Sequence, residues 1–109
     1  MEIKIEESDG IVVASIKGKL DSNTAPQAQE KIAGQIKPAL KMVLDMSACE
    51  YISSAGLRLI LMVAKLLARQ NGNGAIAGLS PEMRDIMDMT GFGNVLPGFK
   101  TVSEAMASL

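Results

Sequence analysis

Ser53 and Ser54 are adjacent and are followed by Ala55, Gly56, Leu57 and Arg58. An apolar run, Met42 to Met46, lies ahead of them, and a long apolar stretch opens behind them at Leu57. A serine pair between a buried strand and a helix is placed to cap that helix, with Ser53 or Ser54 accepting a hydrogen bond from the first turn. The first turn also leaves backbone N–H groups unpaired and carries the positive end of the helix dipole. Such a site stabilises an anion, a phosphate on the serine itself included. Gly56 in that first turn costs about 1 kcal/mol relative to alanine. The expectation is that another protein approaches the backbone closely there. Arg58, four residues after Ser54, is either a solvated helix residue or one that leans back toward such an anion. Plain capping remains the alternative for the serine pair.

Other chemistry is poorly supplied. The chain has no histidine, which excludes Ser-His-Asp and Cys-His triads and every histidine-based metal site. A hydrolase nucleophile elbow has the pattern Gly-x-Ser-x-Gly. Around Ser54, Gly56 fits it and Ile52 does not. No lysine stands three residues after Ser53 or Ser54, and no phosphate-cradling Gly-x-x-x-x-Gly-Lys-Ser/Thr loop occurs. The single cysteine, Cys49, cannot form an internal disulfide and has no lysine, arginine or histidine beside it in sequence to activate it. No catalytic residue, metal site or cofactor is therefore expected. Eleven Lys plus Arg against twelve Asp plus Glu leave a net charge of −1, so no basic field for nucleic acid exists. The absence of tryptophan removes the usual stacking platform for single strands.

These residues need a scaffold. A chain of 109 residues is the size of one domain, here 1–109. The unbroken apolar run Leu59 to Ala64 is far short of the ~20 residues that span a bilayer. The start, Met1-Glu2-Ile3-Lys4-Ile5, lacks the basic-then-apolar plan of a targeting segment. A cytoplasmic protein without membrane contact is expected; the oligomeric state stays open.

Ile3 and Ile5 alternate with charged residues, and Ile11 to Ile16 is rich in β-branched residues. Asp9-Gly10 between them is a hairpin turn signal, and Gly18 is expected to end the second strand. A helix is predicted from about Thr24, capped by Thr24, with Ala28, Ile32, Ala33 and Ile36 on one face and Pro38 as its stop. Met42 to Met46 reads as a buried central strand, followed by a short loop. The second helix runs from about Ser54 to Asn71 and is apolar on most of its circumference. Gly74 to Leu79 is a strand. Ser80 caps a helix that starts at Pro81 and ends at Gly91. Met83 and Met87, one turn apart with Met89 nearby, either fill the core or form a partner surface. Val95 to Phe99 reads as an edge strand, and Thr101 with Glu104 as a capping box for a last helix. The order β-β-α-β-α-β-α-β-α implies an α/β fold with a mixed, mostly parallel sheet of four to five strands and about four helices.

The stretch Tyr51-Ile52-Ser53-Ser54-Ala55-Gly56-Leu57-Arg58 resembles the phosphorylation segment of the STAS domain, the fold of anti-sigma factor antagonists and sulfate-transporter tails. Gly18-Lys19-Leu20-Asp21 with Thr24-Ala25 resembles that family's Gly-x-Leu-Asp segment. Val43-Leu44-Asp45-Met46-Ser47 resembles its central strand, and Ser80-Pro81 with Met87-Thr90-Gly91 its third helix. The resemblance implies an anti-sigma factor antagonist with a STAS-like single domain. The unmodified form would bind an anti-sigma factor, typically a serine kinase of the histidine-kinase-like ATPase fold, and free a sigma factor. Phosphorylation would switch binding off and a phosphatase would reset it. The serine two before the glycine, Ser54, is the implied target, with Ser53 as the alternative. Against the family's Asp-Ser-Ser/Thr-Gly pattern, Ser53 stands at the Asp position and Ala55 at the second hydroxyl. The implied partner surface is Asp21, Ser22, Ser53, Ser54, Ala55, Gly56, Leu57 and Arg58. Asp21 would lie near the serine and touch the kinase or its nucleotide's metal; turn capping is the other reading for Asp21, and for Asp45. The competing functional reading is a STAS scaffold in a sensory or transport assembly with no phosphorylation switch.

Overall fold

The structure is a computed structural model and describes residues 1–91 and 96–109. Asp9 and Gly10 both have positive φ, 53° and 77°. That is what a two-residue hairpin turn of the primed kind demands, and it sets β1 (Glu2–Ser8) antiparallel to β2 (Ile11–Leu20) from Ser8↔Ile11 to Glu2↔Lys17. The remaining strand pairs are parallel. They join β2 to β3 (Lys41–Asp45) and to β4 (Cys49–Ile52), β3 to β5 (Asn73–Ala77), and β5 to β6 (Gly98–Phe99).

Register divides the sheet into two faces. Val12, Met42 and Gly74 are neighbours across β2, β3 and β5, as are Ala14, Leu44 and Ile76. This face, with Ile16, packs against Ala28 and Ile32 of α1 (Ala25–Ala33) and Ile60, Val63 and Leu67 of α2 (Ser54–Arg69). Met83 and Met87 of α3 (Pro81–Thr90) belong to the same core. The alternate residues Ile11, Val43, Ala75 and Ala77 form a second, smaller core with Ala105 of α4 (Val102–Ala107). Central strands buried on both faces explain why β3 reads as a continuous apolar run rather than an alternating one.

The expected α/β class and mixed sheet are present, with four helices among the described residues where about four were expected. The order differs by one strand, because Cys49 to Ile52 is β4 and not loop. Among the described residues the sheet accordingly has six strands rather than four to five. Gly18 does not end β2 either. With a φ of 95°, Gly18 lies where β2, whose pairing with β3 ends at Ser15, continues beside β4, with Gly18↔Cys49, Lys19↔Tyr51 and Leu20↔Ile52 paired and Glu50 as the extra residue at a register shift. A bulge of this kind bends the strand that carries the extra residue, here β4, and re-aims its end.

The first helix ends at Ala33, with Gly34 as its cap, well before Pro38. Gly34 is a poor helix residue, and Ile36 reaches the core from beyond the helix end. Thr24 occupies the N-cap position, but its side chain makes no cap bond. The second helix ends at Arg69, two residues early, where the chain turns through Asn71 at a φ of 57°. The third helix runs as expected: Ser80 accepts from the Met83 N–H, and Gly91 closes it in the left-handed conformation. Met83 and Met87 are core, while Met89 is exposed. Of the expected edge strand, Gly98 and Phe99 pair with β5, and Val95 lies outside the described residues. Thr101 accepts from the Glu104 N–H at the start of α4. Among the described residues no helix is long and apolar enough to cross a membrane.

Candidate functional site

The pairing of Gly18–Leu20 with β4 brings the ends of β2 and β4 side by side. Leu20 and Ile52 are register partners, and the chain leaves each strand at the next residue, Asp21 and Ser53. The Ser53 N–H donates to the Leu20 carbonyl at 2.9 Å. Asp21-Ser22 and Ser53-Ser54 therefore share one rim of the sheet, at the carboxyl ends of two parallel strands, the usual place for function in an α/β fold.

The two serines have different roles. Ser53 is the N-cap, extended at φ −94° and ψ 178°, and its Oγ accepts from the Gly56 N–H at 3.4 Å. Its carbonyl accepts from the Leu57 N–H. Ser54 is the first residue of α2 and is exposed. Among the described residues its hydroxyl has no hydrogen-bond partner. No acidic residue stands in the first turn of α2, so the positive end of the dipole meets no opposing side-chain charge within the helix. The site combines a free hydroxyl with an environment that favours an anion.

Gly56 has an internal cause, not the external one expected from sequence. It is buried, and a Cβ there would stand 2.6 Å from Ile52 Cγ1 and 2.9 Å from the Leu20 carbonyl oxygen. The first turn of α2 sits directly on the strand ends, and only glycine allows that approach. Ala55 and Leu57 are partly buried against the same core, which leaves Ser54 and Arg58 as the exposed side chains of this segment.

Asp21 is a turn residue. Its Oδ1 accepts from the N–H groups of Asn23 at 2.9 Å and Thr24 at 3.2 Å, and the Thr24 Oγ1 lies 3.3 Å away. Thr24 Oγ1 accepts from the Asp21 N–H and donates to the Lys19 carbonyl. This closed set of bonds is why Thr24 does not cap α1. Ser22 is exposed at the apex. Asp45 belongs elsewhere on the rim. Its Oδ1 accepts from the N–H and Oγ of Ser47, and its register partner on β2 is Ser15. Ser15 is five residues before Leu20, at most about 16 Å along the strand.

The strand β4 presents one exposed aromatic that sequence reading passed over: Tyr51, 53% exposed, two residues before Ser53. Recognising Cys49 to Ile52 as a strand is the signal that would have turned Tyr51 outward. Cys49 on that strand is buried, and its thiol donates to the Tyr51 carbonyl at 3.3 Å. Burial pushes its pKa up, which makes it a structural rather than a reactive thiol.

Fold and site together define a mixed-sheet α/β domain whose exposed chemistry lies at a serine-capped helix start. The chain belongs to the STAS domain family, which matches residues 2–105. BtrV of Bordetella bronchiseptica, whose name assigns it as an anti-sigma factor antagonist, is 35% identical over 98 residues, 89% of this chain and 84% of its own. The anti-sigma F factor antagonist of Paenibacillus polymyxa is 24% identical over 100% of this chain and 95% of its own. A crystal structure of an anti-sigma factor antagonist from Mycobacterium paratuberculosis superposes with a TM-score of 0.89 at 27% identity, covering 98% of this chain and 92% of that one.

Proposed function

We propose that this chain is an anti-sigma factor antagonist whose unmodified form binds an anti-sigma factor and so frees a sigma factor. Phosphate on Ser54 ends the complex. The names borne by its relatives support the first part. The observation that carries the second is the division of labour between the serines: the Ser53 hydroxyl is engaged in capping, while Ser54 is exposed and unengaged at the positive end of α2.

The partner would be the kinase and this chain its substrate, so the domain itself performs no catalysis. A separate phosphatase would restore the binding form, and the cycle would run in the cytoplasm. Phosphoserine adds about −1.5 to −2 charges at neutral pH. At a helix N-terminus that charge is tolerated, so the fold persists. The effect falls on the partner, where like-charge contact costs several kcal/mol. Every ~1.4 kcal/mol is tenfold in affinity, so one modification suffices to dissolve a micromolar complex. The binding rim comprises Asp21, Ser22, Ser53, Ser54 and Arg58, with Ala55, Gly56 and Leu57 setting the backbone beneath them.

Mass spectrometry of the protein from its native cells, with partner capture by Ser54→Ala and Ser54→Asp, tests this reading. A phosphate on Ser54, with a kinase-fold partner held by the alanine form and released by the aspartate form, supports it. No phosphate under any growth condition, with the same partners on both forms, leaves a constitutive STAS scaffold instead.

A further inference from the structure

The sheet ends at β1, which has β2 on one side and, among the described residues, no strand on the other. The hairpin turn at Asp9-Gly10 fixes which of its backbone groups face that open side. The residues flanking a two-residue turn form a hydrogen-bonded pair. Ser8 thus bonds to Ile11, and by alternation Glu6, Lys4 and Glu2 bond to Val13, Ser15 and Lys17. Ile3, Ile5 and Glu7 turn their N–H and C=O groups outward, and no loop or helix among the described residues takes these groups up. The side chains alternate as well. Glu2, Lys4, Glu6 and Ser8 are exposed on one face, with Lys4 Nζ 2.9 Å from Glu6 Oε1. On the other face Ile3 is buried in the main core, while Ile5 is only partly buried against it.

We infer that the open edge of β1 pairs with β1 of a second copy of this chain, antiparallel and centred on Ile5, so that two sheets run on as one. Charged residues on an edge strand ordinarily discourage such pairing; here their order selects one register. The outward groups lie on odd-numbered residues, so only a register that opposes odd to odd closes main-chain bonds. Three such registers pair five or more of the seven residues of β1. Centred on Lys4, the pairing sets Lys4 against the partner's Lys4 and Glu2 against the partner's Glu6. Centred on Glu6, it sets Glu6 against the partner's Glu6. Centred on Ile5, it pairs all seven residues and sets each Lys4 opposite the partner's Glu6. Each Lys4 then has one carboxylate on its own strand and another across the join, and opposite charges directly across strands stabilise a pair where like charges do not. The uncovered part of Ile5 meets the partner's Ile5. The same patch serves on both copies, so the assembly closes as a dimer. Ala14, the register partner of Ile5, is six residues before Leu20, about 20 Å along β2. The two Ser54 rims therefore lie away from the join and stay open, and the inference stands apart from the function proposed above.

Sedimentation equilibrium and amide hydrogen exchange on the whole chain test it. The mass should double as concentration rises from micromolar to millimolar. The amides of Ile3, Ile5 and Glu7 should exchange quickly in dilute solution and become protected as the dimer fills, whereas those of Lys4 and Glu6 stay protected throughout. Lys4→Glu should weaken the dimer roughly tenfold or more. Lys4→Glu combined with Glu6→Lys should restore it, since every opposed pair is then reversed in sign only. Glu7→Pro should abolish it. The Glu7 N–H faces away from β2, an edge position at which proline is tolerated, so the hairpin and the circular dichroism spectrum should be unchanged. A chain that is monomeric at every concentration would overturn the inference. So would a dimer whose edge amides stay unprotected, one that survives Glu7→Pro, or one that the double reversal fails to restore.

Discussion

The Ser53 N–H donates to the Leu20 carbonyl at 2.9 Å, and this bond fastens the start of α2 to the end of β2. Leu20 and Ile52 pair immediately beneath it, and Gly56 rests on both. The position of Ser54 thus depends on two strand ends and a helix turn held within van der Waals contact of one another. A site set by packing of this kind is rigid before any partner arrives, which lowers the ordering cost of binding.

That packing predicts the sign of a glycine substitution. In an unobstructed helix, Gly→Ala gains about 1 kcal/mol. At Gly56 the new methyl meets backbone oxygen and a buried isoleucine, and overpacking of a core costs about 1–3 kcal/mol. Gly56→Ala is expected to lower stability in urea denaturation; a more stable protein would show that the contact yields easily.

The two serines should separate in the same assay. Ser53→Ala removes the cap and should cost about 0.5–1 kcal/mol, at the lower end because the bond is long at 3.4 Å. Ser54→Ala should change stability by less than about 0.5 kcal/mol. Equal effects would mean that Ser54 shares the capping, and the assignment of separate roles would not survive.

The same logic shows which parts of the molecule were legible in the sequence. The hairpin at Asp9-Gly10, the central strand, the long second helix and the Ser80–Gly91 helix each carry a local signal, either a turn dipeptide, an apolar run or a pair of caps. Strand β4 carries none. It has four residues, one of them Glu50, and its ladder is made with the far half of β2. Gly18 looked like a stop because a positive-φ position inside a strand and a strand end use the same residue type. Gly56 was visible as an expense within a helix, but its cause is a contact with Leu20, thirty-six positions away in sequence, which no local pattern reveals. The serine pair itself was legible from helix capping alone; which serine is free was not.

Asp21 can be tested for a role beyond its turn. Asp21→Asn keeps the Oδ1 acceptor for Asn23 and Thr24 and removes the charge, so stability should stay within about 0.5 kcal/mol of wild type. Asp21→Ala should lose about 1 kcal/mol. If Asp21 also meets the kinase, Asp21→Asn will slow phosphorylation of Ser54 while the urea midpoint holds; unchanged phosphorylation confines Asp21 to the turn.

Cys49 offers a check on the rim from below. Burial raises its pKa above the ordinary 9.0, so the native thiol should label slowly with a disulfide reagent at neutral pH and quickly once unfolded. The raised value also has a pH consequence. The neutral thiol's contribution to stability is complete below the unfolded thiol's pKa and declines as pH rises through the higher native value. Rapid labelling of the native protein would place Cys49 at an open surface instead.

The central claim is that the charge on Ser54 decides whether the partner is bound. The most direct measurement is the affinity of the purified anti-sigma factor for this protein with Ser54 unmodified and stoichiometrically phosphorylated, by calorimetry, with the fold of both forms checked by circular dichroism. The account predicts a loss of affinity of roughly a hundredfold or more, several kcal/mol of like-charge contact, with no change in fold. Equal affinity of the two forms, or phosphate found on Ser53 with Ser54 unmodified, would contradict it.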